Sequence, residues 1–190
     1  MQYSRSATLA VLATLLAFAP ALVVATGRKS PTRGMPESTA GAAQDDVPAN
    51  CPVTKPPTPP FVPPAPYPAK LGNERMFWFG TDRLWTDLPS DGTWQGLRHY
   101  SPTTPGFRQK IFWWSKGYYW LSDPNPDLTV KGKRLDGPAP RLLTPRPTDG
   151  YNEALKSFML VGADIPTYGC WKITGRFKKN ELRFVIWVAP

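Results

Sequence analysis

The sequence has very few of the residues on which metal sites and most catalytic sites depend. Among its 190 residues there are one histidine, His99, and two cysteines. Structural zinc sites usually need four ligands drawn from Cys and His, so this supply excludes most of them, together with catalytic clusters built from several histidines. The sequence motifs typical of serine hydrolases, zinc proteases, serine–lysine enzymes and phosphate-binding loops are also missing. We therefore expect no metal, no cofactor and no catalytic residue.

One class of enzyme needs none of these motifs. A small hydrolase acting on wall glycans could work with carboxylates alone, and its two acids need not be close in the sequence. The acidic residues Asp82, Asp87 and Asp91, however, lie at turn-like positions, where aspartate commonly caps backbone groups. His99 stands beside Tyr100, and a lone histidine is more often structural or exposed than catalytic. The carboxylate-dependent hydrolase is therefore the alternative to a non-catalytic function.

Long apolar runs are scarce too, and the one that predicts a targeting segment is N-terminal. After Arg5, the nineteen residues from Ala7 to Ala25 carry no charge. This run ends in the small residues that signal peptidases prefer, which predicts a secretory signal over residues 1–25. The alternative is an uncleaved membrane anchor, because nineteen residues can just span a bilayer. Either way we expect most of the chain to be secreted or to lie in the extracytoplasmic cell envelope.

The two cysteines, Cys51 and Cys170, are 119 positions apart. In an oxidising compartment they most simply pair with each other, and the alternative is two free buried thiols. On the loop-entropy model a bridge of this span stabilises the fold by about 4–5 kcal/mol. The spacing supports no redox-active role.

Proline is abundant rather than scarce, at 24 of 190 residues, and this leaves little room for long helices. After a small, polar stretch that we interpret as a flexible linker (26–50), nine prolines fall between Pro52 and Pro68. We call residues 51–70 the strap. If Cys51 is bridged to Cys170, both ends of the strap are held, and we expect it to lie along the folded domain with Phe61 and Tyr67 on aromatic surface beneath it.

Residues 71–190 hold the material for a hydrophobic core, since twenty of them are aromatic. Their apolar runs are short, rich in β-branched and aromatic residues, and separated by Gly, Pro, Asn and Asp. This pattern predicts an all-β domain, an immunoglobulin-like antiparallel β-sandwich of about seven strands. The predicted strands are Arg75–Phe79, Arg83–Leu88, Gln109–Ser115, Leu128–Arg134, Ser157–Ala163, Tyr168–Phe177 and Glu181–Val188.

Alternation in the last two strands predicts a basic outer face. For Trp171, Ile173, Phe177 and the apolar residues of 182–188 to share the core, Phe177 must pair with residue 180 or 182 across a tight turn. The opposite face then carries cations, with an aromatic residue at its end, and the strand Leu128–Arg134 alternates in the same way. The predicted ligand-binding residues on this face are Lys131, Lys133, Lys172, Arg176, Arg183 and Trp187.

A second candidate lies in the aromatic sequence Phe112-Trp113-Trp114. Consecutive residues of a strand point to opposite faces, so either Trp113 or Trp114 should face away from the core and could stack on a sugar or a partner protein. The alternative is that the outward ring is covered by the strap or by a second packed layer.

The balance of charged residues indicates which classes of binding partner to expect. The chain has 23 Lys and Arg against 14 Asp and Glu, a formal net charge of +9. Solvated surface lysines are one interpretation, and attraction to an anionic cell-wall polymer or an acidic envelope protein is the other. Nucleic acid is not an expected partner, because no sequence motif of a nucleic-acid-binding domain is present, and a membrane is expected only if the N-terminal segment stays attached.

The segments Leu128–Asp136, Ile165–Phe177 and Glu181–Val188 together resemble a loose group of uncharacterised secreted bacterial proteins and lipoproteins with an immunoglobulin-like C-terminal β domain. The resemblance implies bacterial export and a β-sandwich over residues 71–190. It implies no activity, cofactor or catalytic residue. This chain lacks the cysteine to which lipoproteins attach their lipid.

Overall fold

The computed structural model describes residues 47–99 and 106–190. These residues form an all-β sandwich with ten strands and no helix, which confirms the predicted fold class. Within the same two ranges, no helix is long and apolar enough to cross a membrane. The predicted signal segment and residues 26–46 of the predicted linker lie outside the described residues.

All ten strands lie inside the range 71–190. They are β1 (Met76–Gly80), β2 (Trp85–Pro89), β3 (Thr93–Trp94), β4 (Arg98–His99), β5 (Phe107–Trp114), β6 (Leu128–Arg134), β7 (Thr148–Asn152), β8 (Lys156–Ile165), β9 (Gly169–Phe177) and β10 (Asn180–Val188).

Each of the seven predicted strands is present, and β6 has the predicted bounds. The sequence pattern missed β3, β4 and β7. The first two are only two residues long. In β7 the dipeptide Asp149-Gly150 suggests a turn, but Gly150 pairs with Phe158 of β8, and a Cβ there would lie 2.2 Å from the Phe158 ring. A glycine that indicates a turn in the sequence thus makes room for an aromatic ring in the sheet.

The strands form two sheets. One has six strands in the order β1-β2-β5-β8-β7, with β4 also paired to β5, and the other has four strands in the order β3-β10-β9-β6. All pairs are antiparallel except β3 with β10, which is parallel. The four-stranded sheet is therefore mixed rather than wholly antiparallel as predicted.

The two sheets bury their apolar faces against each other. Trp113 of β5 is wholly buried and reaches across to β9, where a Cβ on Gly175 would lie 2.2 Å from its ring. Phe184 of β10 packs on the same indole with 6.0 Å between ring centroids. The predicted β9–β10 hairpin is confirmed, because Phe177 pairs with Asn180 across the two-residue turn Lys178-Lys179.

The disulfide between Cys51 and Cys170 is present, and both residues are buried. It fits an oxidising, extracytoplasmic environment. It fixes the first residue of the strap to β9.

Beyond the disulfide, hydrogen bonds hold the strap near both of its ends. At its start, the Thr54 N–H donates to the Val185 carbonyl at 2.8 Å, and the Val185 N–H donates to Thr54 Oγ1 at 2.8 Å. At its end, Trp78 Nε1 donates to the Pro68 carbonyl at 3.0 Å. The strap therefore runs from an edge of the four-stranded sheet to the outer face of the six-stranded one.

On that outer face the strap covers a second hydrophobic cluster. Trp78, Trp85 and Trp114 are buried there. Phe61 and Tyr67 pack on Trp85 with centroids 6.3 Å and 4.9 Å away, the Tyr67 ring nearly perpendicular to the indole. The contact predicted for the two strap aromatics is thus present, and the strap forms a third layer on the sandwich.

Candidate functional site

The outer side of the four-stranded sheet carries the predicted cations. Alternation along β6, β9 and β10 buries one set of side chains in the core and leaves the other set on the outer side. We call this outer surface the basic face. It consists of Lys131, Lys133, Lys172, Arg176 and Arg183, together with Thr129, Thr174 and Glu181.

Strand pairing arranges the basic face in rows across β6, β9 and β10. Six of its residues line an open groove of about 370 Å³. The rows are Thr129–Arg176–Glu181, Lys131–Thr174–Arg183 and Lys133–Lys172–Val185. All five predicted basic residues are therefore neighbours on one surface.

Glu181 partly neutralises one end of the basic face. Its two carboxylate oxygens form ion pairs with Arg176 and Arg183. The hydrogen bond from Arg176 lowers the pKa of Glu181 below its usual value. Glu181 thus holds both guanidinium groups in place over the sheet.

The lysines at the other end have no such partner. Lys131, Lys133 and Lys172 form no ion pair with any residue in the described part of the chain. Lys133 and Lys172 are directly opposite each other on β6 and β9. Like charges in that position repel, so this pair is a cost to the free protein that a bound anion would remove.

Trp187 lies at the end of the basic face, beside the disulfide. It pairs with Cys170 across β9 and β10. The ring is half-buried, and its Nε1 is buried without a hydrogen-bond partner among the described residues. Its predicted stacking role stays a prediction.

Trp113 and Trp114 cannot serve as the predicted stacking platform, because both are completely buried. As the alternation predicted, one of the two rings points away from the core between the sheets. Trp114 does so, but it packs edge-on to Trp78 with centroids 4.8 Å apart and lies in the cluster beneath the strap. The alternative prediction, that the strap covers the outward ring, is the one that agrees with the structure.

The candidate acids are dispersed. Asp91 caps a turn as predicted, since its Oδ1 accepts the Thr93 N–H at 2.9 Å, and Asp82 is an exposed partner of Arg83. Asp87, in contrast, lies within β2 and not in a turn. Burial raises the pKa of Asp87 to about 6.

His99 is the single histidine of the chain. His99 is exposed, with Nδ1 lying 3.2 Å from the Gly106 carbonyl. In the described ranges, no three His, Cys, Asp or Glu residues are grouped so that they could hold a metal ion.

Alternation along the strands placed Thr174 on the outer face with Lys172 and Arg176, but Thr129 and Glu181 were overlooked. Thr129 continues the alternation of Lys131 and Lys133, so the pattern that located these lysines could have located it. Glu181 shares a face with Arg183 by the same rule. Its position opposite Arg176 follows from the hairpin register.

Comparisons with protein-family models, with curated proteins and with solved structures find no match to this chain.

Proposed function

We propose that this protein is a non-catalytic, exported domain of the bacterial cell envelope whose basic face binds an anionic wall polymer. The observation that carries the proposal is the unneutralised lysine group, in which Lys133 faces Lys172 directly and Lys131 stands two positions along the same strand. In the free protein this arrangement costs repulsion, which a bound anion would remove.

The dimensions of the basic face favour a polymer over a single small anion. Adjacent strands are about 4.8 Å apart and alternate residues about 6.8 Å apart, so three rows on three strands cover roughly 10 Å by 14 Å. Five cations and one carboxylate in this area leave a formal charge of +4. A chain with repeated phosphate or carboxylate groups can contact several cations at once, and the two arginines can each bind an oxyanion with two hydrogen bonds.

Co-sedimentation with purified bacterial cell-wall sacculi tests the proposal. The full chain should pellet with sacculi at low salt and remain in solution at about 0.5 M salt, where exposed charges are screened over a few ångströms. The double variant Lys172→Glu/Arg176→Glu should remain in solution at both salt concentrations. The matched control is Lys110→Glu/Arg146→Glu, which makes the same charge change at exposed positions outside the basic face.

Three results would contradict the proposal. They are a wild-type chain that does not pellet at low salt, pelleting that resists 0.5 M salt, and equal loss of pelleting in the test and control variants. Release of soluble fragments from labelled sacculi would instead favour the carboxylate-dependent hydrolase.

A further inference from the structure

A second groove, unrelated to the basic face, lies between the end of the strap and the loop that follows β5. Its volume is about 320 Å³, within the range of small-molecule sites. We call it the aromatic groove. The residues that matter for its chemistry are Tyr67, Lys116, Tyr118, Tyr119, Tyr151 and Lys156.

Two tyrosine rings in the aromatic groove face solvent. Tyr119 is 51% exposed and Tyr151 is 45% exposed. Exposed aromatic rings that line one concave surface are typical of a binding site, whereas isolated exposed rings are not. Tyr67 differs from these two because its ring is turned into Trp85.

The Tyr151 ring is held in a fixed orientation. Trp120 stacks on it, with 5.9 Å between centroids and 24° between planes. At the other end of the ring, the hydroxyl donates to Glu153 Oε2 at 2.6 Å, and Glu153 is also paired with Lys156. A ring fixed in this way loses little conformational entropy when a ligand packs on it.

The wall that carries Tyr119 is anchored as well. Its neighbour Tyr118 is buried, donates its hydroxyl to the Asp123 carbonyl at 3.1 Å, and meets Phe177 edge-on with centroids 5.9 Å apart. The opposite wall belongs to the strap, which is held by Trp78 and by the disulfide. The aromatic groove is therefore preformed.

We infer that the aromatic groove binds a glycan through one or two pyranose rings. The C–H groups on one face of a pyranose form an apolar surface that packs on an aromatic ring, and the hydroxyls at its edge need hydrogen-bonding partners. Tyr119 offers both, since it has an exposed ring with a hydroxyl at its end. Tyr151 adds the part of its ring that Trp120 does not cover, and its hydroxyl can accept a hydrogen bond because its proton is donated to Glu153. Lys116 at the rim has no ion pair in the described part of the chain and can contact a sugar hydroxyl or carboxylate.

An array of oligosaccharides of glucose, N-acetylglucosamine, mannose and galacturonic acid tests this inference with the full chain. At least one glycan should bind, and its affinity is then measured by isothermal titration calorimetry. Tyr119→Ala should weaken binding at least tenfold, and Tyr119→Phe should retain most of it because the stacking surface remains. Tyr168→Ala is the matched control, as Tyr168 is an exposed tyrosine that is not among the lining residues of the groove.

The outcomes separate this site from the basic face. Lys172→Glu/Arg176→Glu should leave binding of a neutral glycan unchanged, and 0.5 M salt should have little effect on it. The inference is overturned if no glycan on the array binds, if Tyr119→Ala binds as well as the wild type, or if a proline-rich peptide binds at Tyr119 and no glycan does. Near-ultraviolet circular dichroism confirms that each variant is folded.

Discussion

Replacing Lys172 with glutamine should stabilise the free protein at low ionic strength. Lys172 and Lys133 are directly opposite each other on β9 and β6, which places their Cβ atoms roughly 5 Å apart. Glutamine keeps an unbranched side chain that covers the sheet and removes the charge. The change therefore removes repulsion without opening a hole in the protein.

The size of the effect follows from the geometry. Two flexible ammonium groups about 7 Å apart in water repel by about 0.6 kcal/mol, which agrees with the range of roughly 0.2–1 kcal/mol for charged cross-strand pairs. In a domain of this size, 1 kcal/mol corresponds to about 2–4 °C in melting temperature. We therefore expect Lys172→Gln to raise Tm by about 1–2 °C in low salt and to have no effect near 1 M salt, where the screening length is about 3 Å.

Thermal unfolding followed by circular dichroism, at about 10 mM and 1 M salt, measures this difference. Because the chain has a net charge of +9, removing any lysine relieves some general repulsion. Lys110→Gln corrects for that effect, since Lys110 is an exposed strand residue that faces Gly162. An equal gain in both variants, or a gain that persists in 1 M salt, would refute the argument from the lysine pair.

Three further changes have definite expected results. Cys170→Ser should cost about 4–5 kcal/mol on the loop-entropy model while keeping the far-ultraviolet spectrum, and an unchanged melting temperature would mean that the bridge does not form. Burial raises the pKa of Asp87 from 3.8 to about 6, so the folded state holds this proton more tightly and loses stability as pH rises through that interval. Asp87→Asn should therefore stabilise the protein at pH 7 by about 2–3 kcal/mol and at pH 3 by little, as measured by urea titration. Tyr67→Ala removes the ring that packs on Trp85 and should let chymotrypsin cut at Phe61 faster than in the wild type, whereas equal cleavage rates would contradict the packed strap.

The strands predicted from the sequence are those that can be recognised from the residue pattern within the strand itself. β8 alternates buried and half-buried residues over its whole length, and such a pattern can be recognised without knowing any neighbour. β3 could not be found in this way, because its two residues become a strand only by pairing with Trp187 and Val188 of β10. Its partner lies more than ninety positions away in the chain.

For the candidate site too, the features that depend on one strand alone could be predicted, and those that depend on contacts between distant segments could not. Period-two alternation places Lys131, Lys133 and Lys172 on an outer face, because a side chain's face depends only on its own strand. That Lys133 faces Lys172 depends on the register between β6 and β9, which lie far apart in the sequence. The burial of Trp114 likewise does not follow from the alternation within its own strand, because the layer that covers it comes from the strap.

The attachment of the strap at Thr54 has a consequence for self-association. β3 pairs with only the last two residues of β10, so the backbone of Val185 would otherwise be an open hydrogen-bonding edge. Thr54 forms hydrogen bonds with both the N–H and the carbonyl of Val185. An edge occupied in this way cannot recruit a strand from another molecule. The disulfide three residues earlier keeps Thr54 in place. Oxidation of the cysteines thus helps to protect this edge of β10 from aggregation, and the β9–β10 hairpin to which the edge belongs carries five of the eight residues of the basic face.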